Sequence, residues 1–425
     1  MKKFLRLLLL AIITCLALGQ LTRLTLTPQI AFYFHDLLIV VFLIFSFAFL
    51  RPNFSRLLIL WRRKLNAQPR WLLILALALS CIFLFQTFSH LLSALYFLRF
   101  LTYLIFAFTV YRLRLFSAAE WQKIFTVFFL ASAIIGLGQY CLFPDPSYLE
   151  NFGWDDHRYR LIGTWLDPAF TSLIYVFGLI YFAQIIFKKL SPKHFAFSLF
   201  AILTLTIALF LTYSRSSFLA ILVVGAIFLW QKTKIYRFKK IASPLKLRPL
   251  FIFFITLFLL ATIYFIFIFQ AQNHPTDSTN LLRSNSLNIR ITMIKTQFSS
   301  FSLKTWLVGN GFFATNFSSS PIPFSSSPAK QTLPVPDNFF VLLLSFVGLP
   351  LTIIIVLQLG KILLSLWQHQ RLIFYLSLAL LLNAQFNQAV FQPFVLLTFL
   401  LICAALPTSL PPPNSRSTHR CTQDC

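Results

Sequence analysis

The feature that most constrains this chain is a succession of about twelve apolar runs, most near the length that crosses a hydrocarbon core, separated by short basic segments. Inside lipid there is no water to satisfy free backbone N–H and C=O groups, so such runs close their hydrogen bonds internally as helices. The runs lie near 4–22, 30–50, 71–88, 92–111, 122–143, 169–187, 195–213, 217–231, 249–270, 338–359, 371–387 and 390–408. Composition agrees: 58% of residues are hydrophobic, 11% are charged and mean hydropathy is +0.79. A soluble domain carries about a quarter charged residues. The expected fold is therefore an all-α polytopic membrane protein.

A net charge of +26 raises the question of nucleic acid, but the positions of the charges answer it. Most of the 36 basic residues cluster in alternate loops: Lys2, Lys3 and Arg6; Arg51 to Arg70; Arg112, Arg114 and Lys123; Lys188, Lys189 and Lys193; Lys232 to Arg248; Lys361 and Arg371; Arg416 and Arg420. This is the positive-inside pattern, and it places both termini in the cytoplasm, with no call for a nucleic-acid partner. The start, Met1-Lys2-Lys3 before an apolar run to Gly19, has the look of a signal peptide; with so many spans behind it, it is expected to stay as the first helix. Seven acidic residues from Asp145 to Asp337 fall on the outer face, with Asp36 near the outer end of the second helix.

The chain divides into helices one to nine (1–270), with an outer loop at 144–168, then a large extracytoplasmic loop (271–337), helices ten to twelve (338–408) and a cytoplasmic tail (409–425). Within the large loop, Leu287, Ile291, Ile294, Phe298 and Phe301 recur at helical spacing, which predicts an amphipathic helix over 285–301. F-S-S-S-P then occurs twice, at Phe317–Pro321 and Phe324–Pro328, a composition suited to a hinge.

The charges that need explaining lie at the outer boundary. Arg215, in L-T-Y-S-R-S-S, sits between two apolar runs with almost no loop, so it either snorkels to lipid headgroups or faces an anion that a guanidinium binds bidentately. Arg283 and Arg290 are seven residues apart, on one face if helical, with Lys295 and Lys304 following; they bind headgroups or join Arg215 around a diphosphate. Asp337-Asn338 precedes the tenth helix, where the aspartate either caps it or accepts a proton from an attacking hydroxyl. Nearby arginines would weaken it as a base, and His274 is the next candidate. In Asp156–Pro168, Arg158, Arg160 and Asp167 add charge at the same level, while Trp154 and Trp165 suit sugar stacking or an interfacial belt. Arg99 stands inside the fourth helix and needs a partner or an aqueous cavity; His35-Asp36 and His90 read as interfacial residues. No Walker motif, HExxH or carboxylate cluster appears, so neither metal nor cofactor is expected.

Four of these segments, in this order, resemble the O-antigen ligase and O-antigen polymerase superfamily. R-L-I-G-T-W-L-D-P-A-F (Arg160–Phe170) is similar to its R-x-x-G-T-F-x-x-P-N segment, with Ala169 in place of asparagine. L-T-Y-S-R-S-S (Leu211–Ser217) is similar to T-x-S-R-[GS]. Arg290 with W-L-V-G-N-G-F (Trp306–Phe312) resembles its R…P-L-x-G-x-G element, and D-N-F-F-V-L-L-L-S-F-V-G-L-P (Asp337–Pro350) its [HD]-N-x-[FY]…G-L stretch.

The resemblance implies metal-independent transfer of glycan from a polyprenyl-diphosphate donor to a glycan or lipid acceptor at the outer leaflet of the cytoplasmic membrane. It implies Arg215 and Arg290 as diphosphate ligands, Arg160 as their support and Asp337 as the residue that activates the acceptor; Asp337 stands where ligases have histidine, which favours a polymerase or another acceptor. Asn338, Arg283, Asp167, Gly309, Gly311 and Trp306 fall in the same motifs or beside them and are expected around the substrate. The alternatives are a lipid-linked oligosaccharide flippase, which would want repeat symmetry and cations through the bundle, and a non-catalytic protein of envelope assembly.

Overall fold

The computed structural model describes residues 1–27, 30–49, 70–152, 157–186, 192–238, 285–313 and 337–406. The helices are α1 (Lys2–Leu18), α2 (Phe34–Phe49), α3 (Arg70–Phe88), α4 (Leu91–Leu113), α5 (Ala118–Leu142), α6 (Pro168–Ile186), α7 (Pro192–Leu211) and α8 (Arg215–Phe238). They continue with α9 (Asn285–Ser299), α10 (Leu303–Val308), α11 (Phe339–His369), α12 (Arg371–Asn383) and α13 (Pro393–Ala405).

Among the described residues, six helices (α1 with the turn after it, α4, α5, α6, α7 and α11) are long and apolar enough to cross a membrane. Five shorter apolar helices accompany them, beginning at Phe34, Leu77, Arg215, Arg371 and Pro393. Together they coincide in order with eleven of the expected runs; the run at 249–270 lies outside the described residues. The chain is a multi-pass helical membrane protein.

Two local departures from the sequence reading have physical causes. Residues 30–33 are not helix: Arg23–Thr27 (β1) and Ile30–Tyr33 (β2) pair antiparallel, Arg23 opposite Tyr33 and Leu24 opposite Phe32. The alternation R-L-T-L-T, with β-branched threonines, favours a strand over a helix. At the other end, α5 starts earlier than the apolar pattern suggests. Ser117 and Glu120 form a capping box there, and the Glu120 carboxylate also takes Arg6 at 2.5 Å.

Packing centres on α6, the most enclosed span, with 72% of its apolar window buried. Helices α5, α7, α8, α12 and α13 pack against it. Since lipid tails are as apolar as the side chains, contact shape and interhelical hydrogen bonds hold these helices together. At one end of the bundle Arg6 meets Glu120 and Trp230 stacks on Trp367. The opposite end gathers the hairpin, the turn before α6, the start of α8, the α10 segment and the start of α11.

Helix α11 is broken where Gly348 takes φ 74° and ψ 172°, two residues before Pro350. Proline has no N–H, so the carbonyl four residues earlier, on Phe346, loses its intrahelical donor. Asn310 N–H donates to the Ser345 carbonyl at 2.8 Å and Gly311 N–H to that of Phe346 at 3.0 Å. The approach is so close that a Cβ on Gly309 (φ 72°) would stand 2.3 Å from the Phe346 carbonyl oxygen. The G-N-G segment is thus a plug that completes the helix.

Candidate functional site

The first two motifs meet through backbone. Leu161 N–H donates to the Leu211 carbonyl at 2.8 Å, and Arg160, only 7% exposed, donates Nε–H to the Thr212 carbonyl at 3.0 Å. Tyr213 then turns left-handed (φ 52°) and Arg215 opens α8. Arg160 therefore braces the turn that presents Arg215. Asp167 is the cap of α6, its Oδ1 accepting from the Ala169 and Phe170 N–H groups at 2.7 and 3.1 Å.

Arg290 lies on α9, and its Nε–H donates to Asp337 Oδ2 at 3.3 Å, with both side chains about a third exposed (34% and 36%). At that exposure the ion pair contributes about 0–1 kcal/mol, so it is better suited to arranging charges than to holding the fold. Burial acts first on the Arg215 guanidinium, and the positive charge of Arg290 acts on it second. Two arginines distant in sequence are thus brought into one field, with one carboxylate beside them.

The start of α11 is capped by Asn338 and not by Asp337. Asn338 Oδ1 accepts from Phe340 and Val341 N–H at 3.0 and 3.2 Å, while its Nδ2 donates to the carbonyl and to Oε1 of Gln385, both at 3.2 Å. The residue before it, Asp337, pairs with Arg290. Gly309 and Gly311 serve the contact with broken α11. Trp306 stacks on Phe298 (5.8 Å, 16°) and meets Phe301 edge-on (5.4 Å), so it ties α10 to the aromatic end of α9. A helix is present over Asn285–Ser299, with Ile291 and Phe298 of its expected apolar face exposed. Arg283, His274 and Trp154 lie outside the described residues.

Two expectations are corrected. Trp165 is neither a belt residue nor free to stack on sugar: it is 1% exposed and its Nε1–H donates to the Leu16 carbonyl at 3.1 Å, because the turn before α6 folds inward over the end of α1. His35 is not interfacial either; it is fully buried, 3.2 Å from the Tyr103 hydroxyl. Asp36 takes that hydroxyl at 2.5 Å and Arg99 at 3.1 Å. Arg99 also donates to the Ala31 carbonyl at 2.7 Å, and its guanidinium lies 5.4 to 5.7 Å from the rings of Phe32, Tyr33 and Tyr96. The charge inside α4 is neutralised on the spot.

The sequence reading passed over the amides after α12. Asn383, buried completely, donates to Ser217 Oγ at 2.7 Å and to Ser216 Oγ at 3.2 Å. Asn387 donates to Asn383 Oδ1, and Ser172 Oγ is 2.7 Å from Ser217 Oγ. Their signal was present: carboxamides inside an apolar region are costly without partners. Among the described residues, no three His, Cys, Asp or Glu side chains come together in a way that could hold a metal ion.

Fold and site together define a multi-pass helical membrane protein in which Arg290, on α9, pairs with Asp337 at the start of α11. Residues 199–356 match the family model described as O-Antigen ligase. Over that stretch the chain is similar to the O-antigen ligase family. The matched stretch is less than half of the chain; it takes in the Leu211–Ser217, Arg290–Phe312 and Asp337–Pro350 segments and leaves Arg160–Phe170 outside. Comparison with curated proteins gives no match.

Proposed function

We infer that the protein transfers or polymerises glycan from a polyprenyl-diphosphate donor at the outer leaflet, without a metal ion. The observation that supports this is the pairing of Arg290 with Asp337 while the Arg290 charge acts on Arg215. Breaking the anomeric C–O bond leaves negative charge on the diphosphate, and two fixed guanidiniums stabilise it as it forms. The acceptor oxygen bonds to the anomeric carbon as the diphosphate departs, and its proton passes to the Asp337 carboxylate. Because that carboxylate is held by Arg290, its chief contribution is orientation of the hydroxyl, with proton acceptance late in the step. Arg160 supports the site by fixing the turn ahead of Arg215.

The test uses purified protein in lipid nanodiscs with donor lipid extracted from cells lacking this chain. Release of polyprenyl diphosphate coupled to glycan transfer is the expected result; movement of intact donor across a bilayer without cleavage would replace this reading with a flippase.

A further inference from the structure

Three consecutive residues at the end of α12 touch the starts of two other helices. Asn383 holds Ser216 and Ser217, which directly follow Arg215. The Ala384 carbonyl accepts the Phe339 N–H at 2.9 Å, and Gln385 receives the Asn338 amide, which directly follows Asp337. The segment 383–385 therefore joins the arginine's helix to the aspartate's helix, which lie more than a hundred residues apart in the chain.

The bonds on the α8 side are built for rigidity. Asn383 and Ser217 are both 0% exposed. Asn387 fixes the Asn383 oxygen and has its own Oδ1 occupied by the Ala389 N–H at 2.9 Å, which leaves the Asn383 NH₂ pointed at the serines. Ser217 is gripped from a third side by Ser172 on α6. An amide is costly in an apolar interior unless its partners are all in place, and here Asn383 satisfies Ser216, Ser217 and Asn387 together.

We propose that Asn383 is a positioning residue for glycan transfer, setting Arg215 relative to Asp337 through Ser216 and Ser217. This rests on the function inferred above. An in-line displacement needs the leaving diphosphate and the acceptor hydroxyl aligned, and a shift of about 1 Å in such a pair costs on the order of 100-fold in rate. Loss of the Asn383 bonds frees the start of α8 from the start of α11 while Arg215 and Arg290 both remain to bind diphosphate.

The test measures turnover of extracted donor lipid and binding of polyprenyl diphosphate alone, on the full chain in nanodiscs. Asn383→Leu is expected to lower kcat at least tenfold, with KM for donor and Kd for polyprenyl diphosphate within twofold of wild type. Ser217→Ala should give the same split, and the double variant should be no slower than the slower single one, because both remove one linkage. Where Asn383→Leu does not reach the membrane, the Ser217→Ala split between kcat and KM decides the matter. Wild-type kcat in the folded variant, additive losses, or a Kd that rises in step with the fall in kcat would each overturn the proposal. A wild-type protein that transfers nothing overturns the functional reading and this inference with it; an active wild type beside an unaffected Asn383→Leu overturns the inference alone.

Discussion

Arg290 on the loop helix and Asp337 at the threshold of α11 form an ion pair across 47 residues of sequence, 3.3 Å between Nε and Oδ2. The pair puts the proposed base and a proposed diphosphate ligand in one contact, and each constrains what the other does. A carboxylate so placed is held as a hydrogen-bond acceptor toward Arg290.

If the two arginines bind diphosphate, Arg215→Lys and Arg290→Lys should each lower transfer on the order of 100-fold, the scale of losing one preorganised donor to a developing anion. Lysine keeps the charge and loses the planar fork. Turnover of lipid-linked donor by purified variants reads this, and a wild-type rate removes that arginine from the site.

Asp337 can be tested cleanly because the cap of α11 resides on Asn338. Asp337→Asn should retain the fold and polyprenyl-diphosphate binding while losing about 100-fold in rate, the lower end of what a positioned acid or base supplies. Asn338→Ala should instead destabilise the protein by about 1 kcal/mol through the lost cap. Thermal unfolding beside turnover separates the two; near-normal transfer by Asp337→Asn would assign that residue to structure.

Transfer should survive chelation. With EDTA present the rate is expected to match that in magnesium, since arginine supplies the charge a metal would. A loss restored by magnesium or manganese overturns the arginine-only scheme.

Gly309→Ala should lower the yield of folded protein, because φ 72° with ψ −166° is a conformation nearly reserved for glycine and the new methyl meets the Phe346 carbonyl. Such backbone strain costs about 1–3 kcal/mol before the clash is added. Gly360→Ala is the control, with nothing within 4 Å of its added Cβ. The melting temperature by size-exclusion of detergent-solubilised protein distinguishes them, and equal values would remove the plug from the argument.

The helical runs were legible because each is written in one stretch of apolar residues, and the motifs because glycine, proline and arginine are needed locally where they occur. The errors came where a residue's surroundings are made by distant chain. Trp165 looks like a belt aromatic until the turn carrying it folds onto Leu16, and His35 looks interfacial until Tyr103 covers it. The amides at 383–387 drew no notice since their partners, Ser217 and Asn338, lie 166 and 47 residues away. Arg99 reads from its position as needing a partner or an aqueous cavity, but nothing in the sequence picks Asp36 as that partner.

The break in α11 bears on how the chain is assembled. A ribosome delivers α11 after the G-N-G segment, and the helix enters the bilayer with the Ser345 and Phe346 carbonyls still lacking donors. Lipid offers none, so this stretch of α11 reaches its final form only when the G-N-G segment docks against it. Assembly therefore has two stages here, insertion of an incomplete span followed by its completion by the G-N-G segment. A chain cut between Gly311 and Asp337, with both pieces expressed together, should still complete the span, whereas one lacking 309–311 should stall as an inserted but unfinished helix.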